Sequence, residues 1–257
     1  QQFYNIADTA IIGRYIGTDA LAAIGSTGLL ISVIVNFFIG LSTGVSAVIA
    51  NQFGANEYEK LKKSISTLLA VSVLLGIVFT IGSLIFMKPI INILQTPKGV
   101  YSLAIDYLKI CFLGITFQLL YNIGTAILRA LGNTKDPLYF LIFSCILNLI
   151  LDILFIVYFG WGVKGAAIAT LISQILATLL VMYKIMSLDD NCKLSLKQIK
   201  IYRGYTKDIF LVGLPAGLQA IFMSISSLII QSSINSFGAE AMAGMTIFAK
   251  VEGFLYF

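Results

Sequence analysis

Long apolar runs follow one another along nearly the whole chain, separated by short polar stretches. A helix needs about 20 mostly apolar residues to cross a bilayer. On that measure the pattern predicts eight segments, at about 1–13, 20–52, 64–87, 100–130, 138–159, 165–186 and 208–235, with an eighth that begins near 240. Pro89, Pro97 and Pro137 are expected in connections, and Pro215 inside segment seven, where it should kink or loosen the helix. The chain opens on QQFYNIAD and stops at VEGFLYF, each in mid-run, so segments one and eight are expected to be parts of longer helices.

Composition agrees with the pattern. Of 257 residues, 58% are hydrophobic and 11% charged, against about a quarter charged in an ordinary soluble domain. With a mean hydropathy of +0.94, the fold class is all-α, a polytopic membrane protein. The net charge of +5 calls for no nucleic-acid partner, because the basic residues collect in alternate loops. Eleven Lys and Arg fall in the loops after segments two, four and six, and four in the loops on the other side (Arg14, Lys88, Lys98, Lys164). The positive-inside rule places the eleven in the cytoplasm. The longest basic stretch, about 187–207, reads as a linker between two halves, with room for an amphipathic surface helix.

An internal repeat supports that division. IGTDALAAI (16–24) resembles FGAEAMAGM (237–245), and a slide of 221 aligns Gly17 with Gly238 and Asp19 with Glu240. Segment seven therefore replays segment one. The even number of spans between them makes the repeats parallel, related by an axis along the membrane normal. The expected domains are a lobe at 1–186, a linker at 187–207 and the start of a second lobe at 208–257.

Chemistry narrows to a few polar residues inside the spans. There is no histidine, and Cys111, Cys145 and Cys192 stand singly, expected as free thiols. No P-loop, GxSxG or HExxH is present, so no ATPase or hydrolase signature appears. Placing an ionisable side chain in mid-membrane costs roughly 2.5–3.5 kcal/mol on insertion scales, so such residues usually face an interior site. Asp152, placed near the middle of segment five, is the clearest case. Asn148 lies one turn away on the same face. Two oxygen donors there make half a site for a hard cation such as Na⁺, or a hydrogen-bonded proton site; the alternative is that they only tie helices together. Asp8 is a second acid, and Thr170 could add a hydroxyl oxygen, although threonine often bonds its own helix backbone. Asp106 and Lys109, at i and i+3, read as a local surface pair. Lys250 and Glu252 do not face each other. Gly40 and Gly44, and Gly213 and Gly217, have the small-xxx-small spacing of close helix contacts.

At these residues the chain resembles the multidrug and toxic compound extrusion (MATE) transporters, of the bacterial DinF-like kind. The motifs are QQFYNIADTAIIGRYIGTDALAAIG (1–25), ANQFGANEYEKLKKS (50–64), AILRALGNTKDP (126–137), NLILD (148–152), GVKGAAIATLIS (162–173) and LPAGLQ (214–219). The resemblance implies twelve helices in two six-helix lobes, of which this chain holds the first lobe and a little more. It implies an antiporter of the bacterial inner membrane that exports amphipathic, often cationic compounds in exchange for H⁺ or Na⁺. Asp8, Asn148, Asp152 and Thr170 match the family's cation or proton site in the amino-terminal lobe, and Gln1 and Tyr4 match positions near its central cavity. Partners implied are an amphipathic small molecule and membrane lipid, with a monomer as the full-length state and no cofactor beyond the coupling ion. The repeat adds that Asp8 slides onto Ile229, so segment seven lacks the acid. Two other readings stay open. A lipid-linked oligosaccharide flippase of the same superfamily should carry a cationic cavity, and a channel would run without counter-transport. An intramembrane enzyme lacks a nucleophile paired with a base.

Overall fold

The computed structural model describes residues 11–93, 98–188 and 199–236. Among them the chain is helical and contains no strand. The described end of segment one is α1 (11–15). It is followed by α2 (Thr18–Gly54), α3 (Tyr58–Ile93), α4 (Lys98–Leu113), α5 (Ile115–Ala130), α6 (Lys135–Asp152), α7 (Gly162–Met186) and α8 (Arg203–Ser236). Beyond α6 the helix continues as a π-helical turn, Ile153–Tyr158. Segment eight, with Lys250 and Glu252, lies outside the described residues, as do Pro97, Cys192 and residues 189–198 of the expected linker. Neither Cys111 nor Cys145 is in a disulfide.

Five of these helices are long and apolar enough to cross a membrane. They become six if α4 and α5, bent by 45° at Gly114, count as one span. Segment four is thus broken rather than continuous. Two prolines also depart from expectation. Pro89 lies inside α3, which membrane helices tolerate because neighbours and ordered solvent re-satisfy the freed carbonyl. Pro137 sits in the first turn of α6, where its missing N–H is one that no intrahelical acceptor could have used. Pro215 lies inside α8, as expected.

The core forms where α2, α3, α4, α5 and α7 meet. Phe38, Ile49, Ile65, Leu108, Leu119, Ile127 and Val181 are buried together there. Phe79 stands edge-on to Phe38, with ring centroids 5.4 Å apart. In α6 the pattern is inverted. Its buried residues are Pro137, Asn148 and Asp152, while Ile142, Phe143, Ile146, Leu149 and Ile150 are exposed. Such a helix would be inside out in water; beside lipid it puts apolar groups where they cost nothing and polar ones where partners exist.

The two glycine pairs face each other. A Cβ built on Gly40 would lie 2.5 Å from the Ala216 carbonyl oxygen and 3.0 Å from Gly217 Cα. One on Gly44 would lie 2.8 Å from the Val212 carbonyl oxygen and 3.0 Å from Gly213 Cα. α2 and α8 therefore run antiparallel with their backbones in contact, and Asn36 Nδ2 extends the seam by donating to Ser224 Oγ at 2.9 Å. Within lipid no hydrophobic drive separates helices from acyl chains, so close van der Waals approach between small residues supplies the attraction. The strand of chain before α8 is clipped to α3. The Lys200 N–H donates to Ser66 Oγ at 2.8 Å, Ser66 Oγ donates to the Lys200 carbonyl at 3.0 Å, and the Tyr202 N–H donates to Thr67 Oγ1 at 3.2 Å.

Ion pairs tie the helix ends. At the end bearing the basic loops, Lys184 of α7 meets Asp136 of α6 at 2.8 Å. At the opposite end, Lys164 of α7 meets Asp106 of α4 at 3.1 Å. This corrects the local pairing of Asp106 with Lys109. Lys109 points outward, exposed, whereas Lys164 reaches Asp106 across a packed helix pair.

Candidate functional site

Asn148 and Asp152 are both fully buried, at 0% exposure. The i, i+4 spacing sets them on one stripe of α6, and that stripe faces α7. α7 meets it with small residues, Gly165, Ala166, Ala167 and Ala169, all buried. Their size lets α6 approach closely enough for Asn148 Nδ2 to donate to Thr170 Oγ1 at 3.4 Å. Thr170 in turn donates to the Ala166 carbonyl at 3.0 Å. Its hydroxyl thus does what threonine commonly does in a helix and accepts from the neighbouring helix as well.

Of the residues singled out from sequence, Asn148, Asp152 and Thr170 are brought together. Asp8, Gln1 and Tyr4 lie outside the described residues. One placement shifts. Asp152 is six residues from the end of its span, Lys135–Tyr158, in the half away from the basic loops, and Asn148 is the residue nearer mid-span. The carboxylate is nonetheless sealed from solvent. A bare anion in such surroundings is expensive, so the group must hold a proton, a cation or strong donors.

Thr170 has a second face, on a cavity of about 540 Å³ between α2, α4, α5, α6 and α7. That volume lies within the range of drug-sized ligand sites. Its wall is mostly apolar, with Ser32, Asn36, Gln118, Ser144 and Gln174 as scattered polar groups, and no Lys, Arg, Asp or Glu among the described lining residues. Gly114, the break between α4 and α5, opens onto it, and a Cβ there would lie 2.9 Å from Gln174 Oε1. Sequence reasoning missed these amides. Polar amides inside apolar spans, Gln118 and Gln174, are the signal that could have found them. Asn36 joins the cavity wall to the α2–α8 seam through its bond to Ser224.

Comparison with known proteins decides the family. Residues 1–154 match the MatE family model. The chain belongs to the MatE family. It is 31% identical over 252 residues to the probable multidrug resistance protein YoeA of Bacillus subtilis (strain 168), across 95% of this chain and 54% of the relative. Among solved structures, an outward-facing conformation of a multidrug resistance MATE family transporter aligns with a TM-score of 0.86. The match has 30% identity and covers 95% of this chain and 54% of that one. An inward-facing conformation of such a transporter aligns at 0.80, with 30% identity, over 93% of this chain and 54% of that one. This MatE chain therefore spans about half the length of the relatives it matches. They are named for drug resistance and transport rather than catalysis, which removes the enzyme alternative.

Proposed function

We propose that this chain is the ion-coupling half of an antiporter that exports amphipathic, often cationic compounds by alternating access, with H⁺ or Na⁺ as the coupling ion. The observation that carries the reading is a single contact. Thr170 touches the fully buried Asn148 on one side and lines the drug-sized cavity on the other. Whatever neutralises Asp152 then acts one helix turn from Asn148 and so next to the wall of the cavity. Asp8 is the expected second acid, and Gln1 and Tyr4 the expected cavity residues. The uncharged, mostly apolar wall suits an amphipathic compound. It gives a lipid pyrophosphate no cationic partner among the described residues, so the flippase alternative has no support there.

The mechanism follows from the energetics of one charge. With Asp152 neutralised, the α6–α7 seam closes without a bare anion; with it ionised, the same seam is costly. A coupling ion shifts the transporter only through a different affinity for its two shapes. The better match to an outward-facing relative than to an inward-facing one fits a state that receives the ion from outside. The loops after α2, α5 and α7 would then lie in the cytoplasm.

The test is ethidium efflux from vesicles carrying the full-length protein, driven by a pH gradient or a Na⁺ gradient separately. Asp152→Asn should insert and fold but lose efflux under the gradient that drives the parent. Parental efflux in Asp152→Asn, or a conductance without counter-transport in the parent, would refute the reading.

A further inference from the structure

What holds Asp152 in place is unusual. Directly after it the helix widens from α to π over Ile153–Tyr158. The Phe159 N–H donates to the Leu154 carbonyl five residues back at 3.0 Å, and the Trp161 N–H to the Phe155 carbonyl at 2.9 Å. π-turns are rare, occur mostly as single turns within helices, and are frequent at functional sites. This one is clasped on two sides. The Trp161 ring stacks on Phe155, with centroids 4.9 Å apart and planes 19° from parallel, and Phe159 lies against Trp161 at 5.4 Å. Gly160 and Gly162 flank Trp161 with φ of 66° and 57°, a left-handed conformation that glycine adopts without penalty. Together they fold the chain back so that the indole lands on the turn it has just left. From α7, Gly165 presses on the same turn. A Cβ on it would lie 3.1 Å from Phe155 Cβ and 3.2 Å from the Phe155 carbonyl carbon and oxygen. The neighbouring Lys164 is paired with Asp106 of α4, so α7 is itself anchored at this end.

A π-turn holds extra chain in its loop. Giving up one residue of it to an α-helix turns the flanking helix by about 100°, since 3.6 residues make a turn. Asp152 is the residue on that boundary. Phe155 is only 9% exposed and Ile156 5%, so one face of the turn is packed into the protein, while Ile153, Leu154, Val157 and Tyr158 face outward. An aromatic belt at the membrane surface would also place Trp here, but a belt needs neither a buried ring beneath the indole nor a glycine against the backbone.

Resting on the cation-coupling reading above, we propose that the π-turn Ile153–Tyr158, clasped by Trp161 and Gly165, is the positioning element of Asp152. It fixes the rotation at which the carboxylate meets the coupling ion. Trp161, Phe155 and Gly165 are positioning residues that act through Asp152.

The experiment is ethidium efflux from vesicles carrying the full-length protein, titrated with external Na⁺, external pH and ethidium in turn. Gly165→Ala and Trp161→Ala should move the Na⁺ or proton concentration for half-maximal efflux by about ten- to a hundredfold, the effect of removing groups that orient a metal ligand, with the half-saturating ethidium concentration held within about twofold. Trp161→Phe keeps a stacked ring and should restore the parental ion dependence. Tyr139→Ala, which removes an exposed ring from the other end of the same helix (62% exposed), should leave it unmoved. Unchanged ion dependence in both Gly165→Ala and Trp161→Ala, or equal shifts for ion and ethidium, overturns the proposal. If Gly165→Ala fails to insert, Trp161→Ala decides alone. Asp152→Asn, run alongside, separates the two claims: if it still couples, the cation reading fails, and if it is uncoupled while the clasp variants behave as the parent, only the positioning role fails.

Discussion

Two helix seams in this molecule use opposite chemistry. Where α2 meets α8, glycines bring the backbones together and the contact is close and nearly apolar, with the Asn36–Ser224 bond at one edge. Where α6 meets α7, small residues on α7 again permit close approach, but the space they open receives an amide and a carboxylate, both fully buried. The first arrangement maximises contact per turn of helix. The second gives up contact to hold a group that would be expensive anywhere else in the membrane. Stability should therefore be concentrated at the glycine seam and ion dependence at the polar one, and substitutions can separate the two.

The largest expected effect is on the glycine side. Gly40→Leu drives a side chain against the Ala216 carbonyl, a main-chain atom that cannot turn aside as a side chain does. Overpacking of this kind costs about 1–3 kcal/mol and more where the backbone must move. Detergent-solubilised full-length protein should show a clearly lowered apparent melting temperature, with Gly40→Ala intermediate. The folded fraction should keep the parental ion dependence. If Gly40→Leu melts like the parent, α2 and α8 are not in backbone contact and the comparison collapses.

How far the sequence revealed these seams differs between them. The glycine pairs were legible from spacing alone, since four-residue intervals put small residues on one face. That the two pairs meet each other was not, because spacing shows a flat face and not its partner. Asn148 and Asp152 were legible as one stripe for the same reason. Thr170 and Asp8 were legible as a spare hydroxyl and a second acid, but that they gather with the pair was implied only by resemblance to a family, and for Asp8 it is still an expectation. The π-turn was invisible, because ILFIVY is as apolar as any span and the extra residue shows only in the hydrogen bonds. The break at Gly114 was hidden because glycine is frequent in membrane helices that stay unbroken. Asp106 misled because its i+3 neighbour Lys109 looked sufficient, while the partner that holds it, Lys164, lies 58 positions on.

On the polar side the expected balance is reversed. Asn148→Ala removes a donor to Thr170 at 3.4 Å, a long bond. Hydrogen bonds between membrane helices contribute only about 0.6 kcal/mol on average and at most about 1.7. Melting should therefore shift less than for Gly40→Leu, whereas the ion concentration for half-maximal efflux should rise. A large melting shift with unaltered ion dependence would make Asn148 a helix tie and nothing more, the alternative its spacing left open.

The smallest effect should come from the end of the same polar seam. Lys184 and Asp136 join α7 to α6 at 2.8 Å with side chains 35% and 28% exposed. Asp136 has other support, because it accepts from Asn133 Nδ2 at 2.6 Å and its own N–H donates to Asn133 Oδ1 at 3.1 Å. Lys184→Ala thus removes one of several contacts. Ion pairs that water reaches contribute at most about 1 kcal/mol. Salt should mask even that, since screening shortens from about 10 Å at 0.1 M to about 3 Å at 1 M. The expected result is a small melting shift at low salt that disappears at high salt, with ion-driven efflux unaltered. A Lys184→Ala shift as large as that of Gly40→Leu, or one indifferent to salt, would mean that the α6–α7 seam is held at its rim. Stability would then be shared by both seams rather than concentrated at the glycines, and the contrast drawn between them would fail.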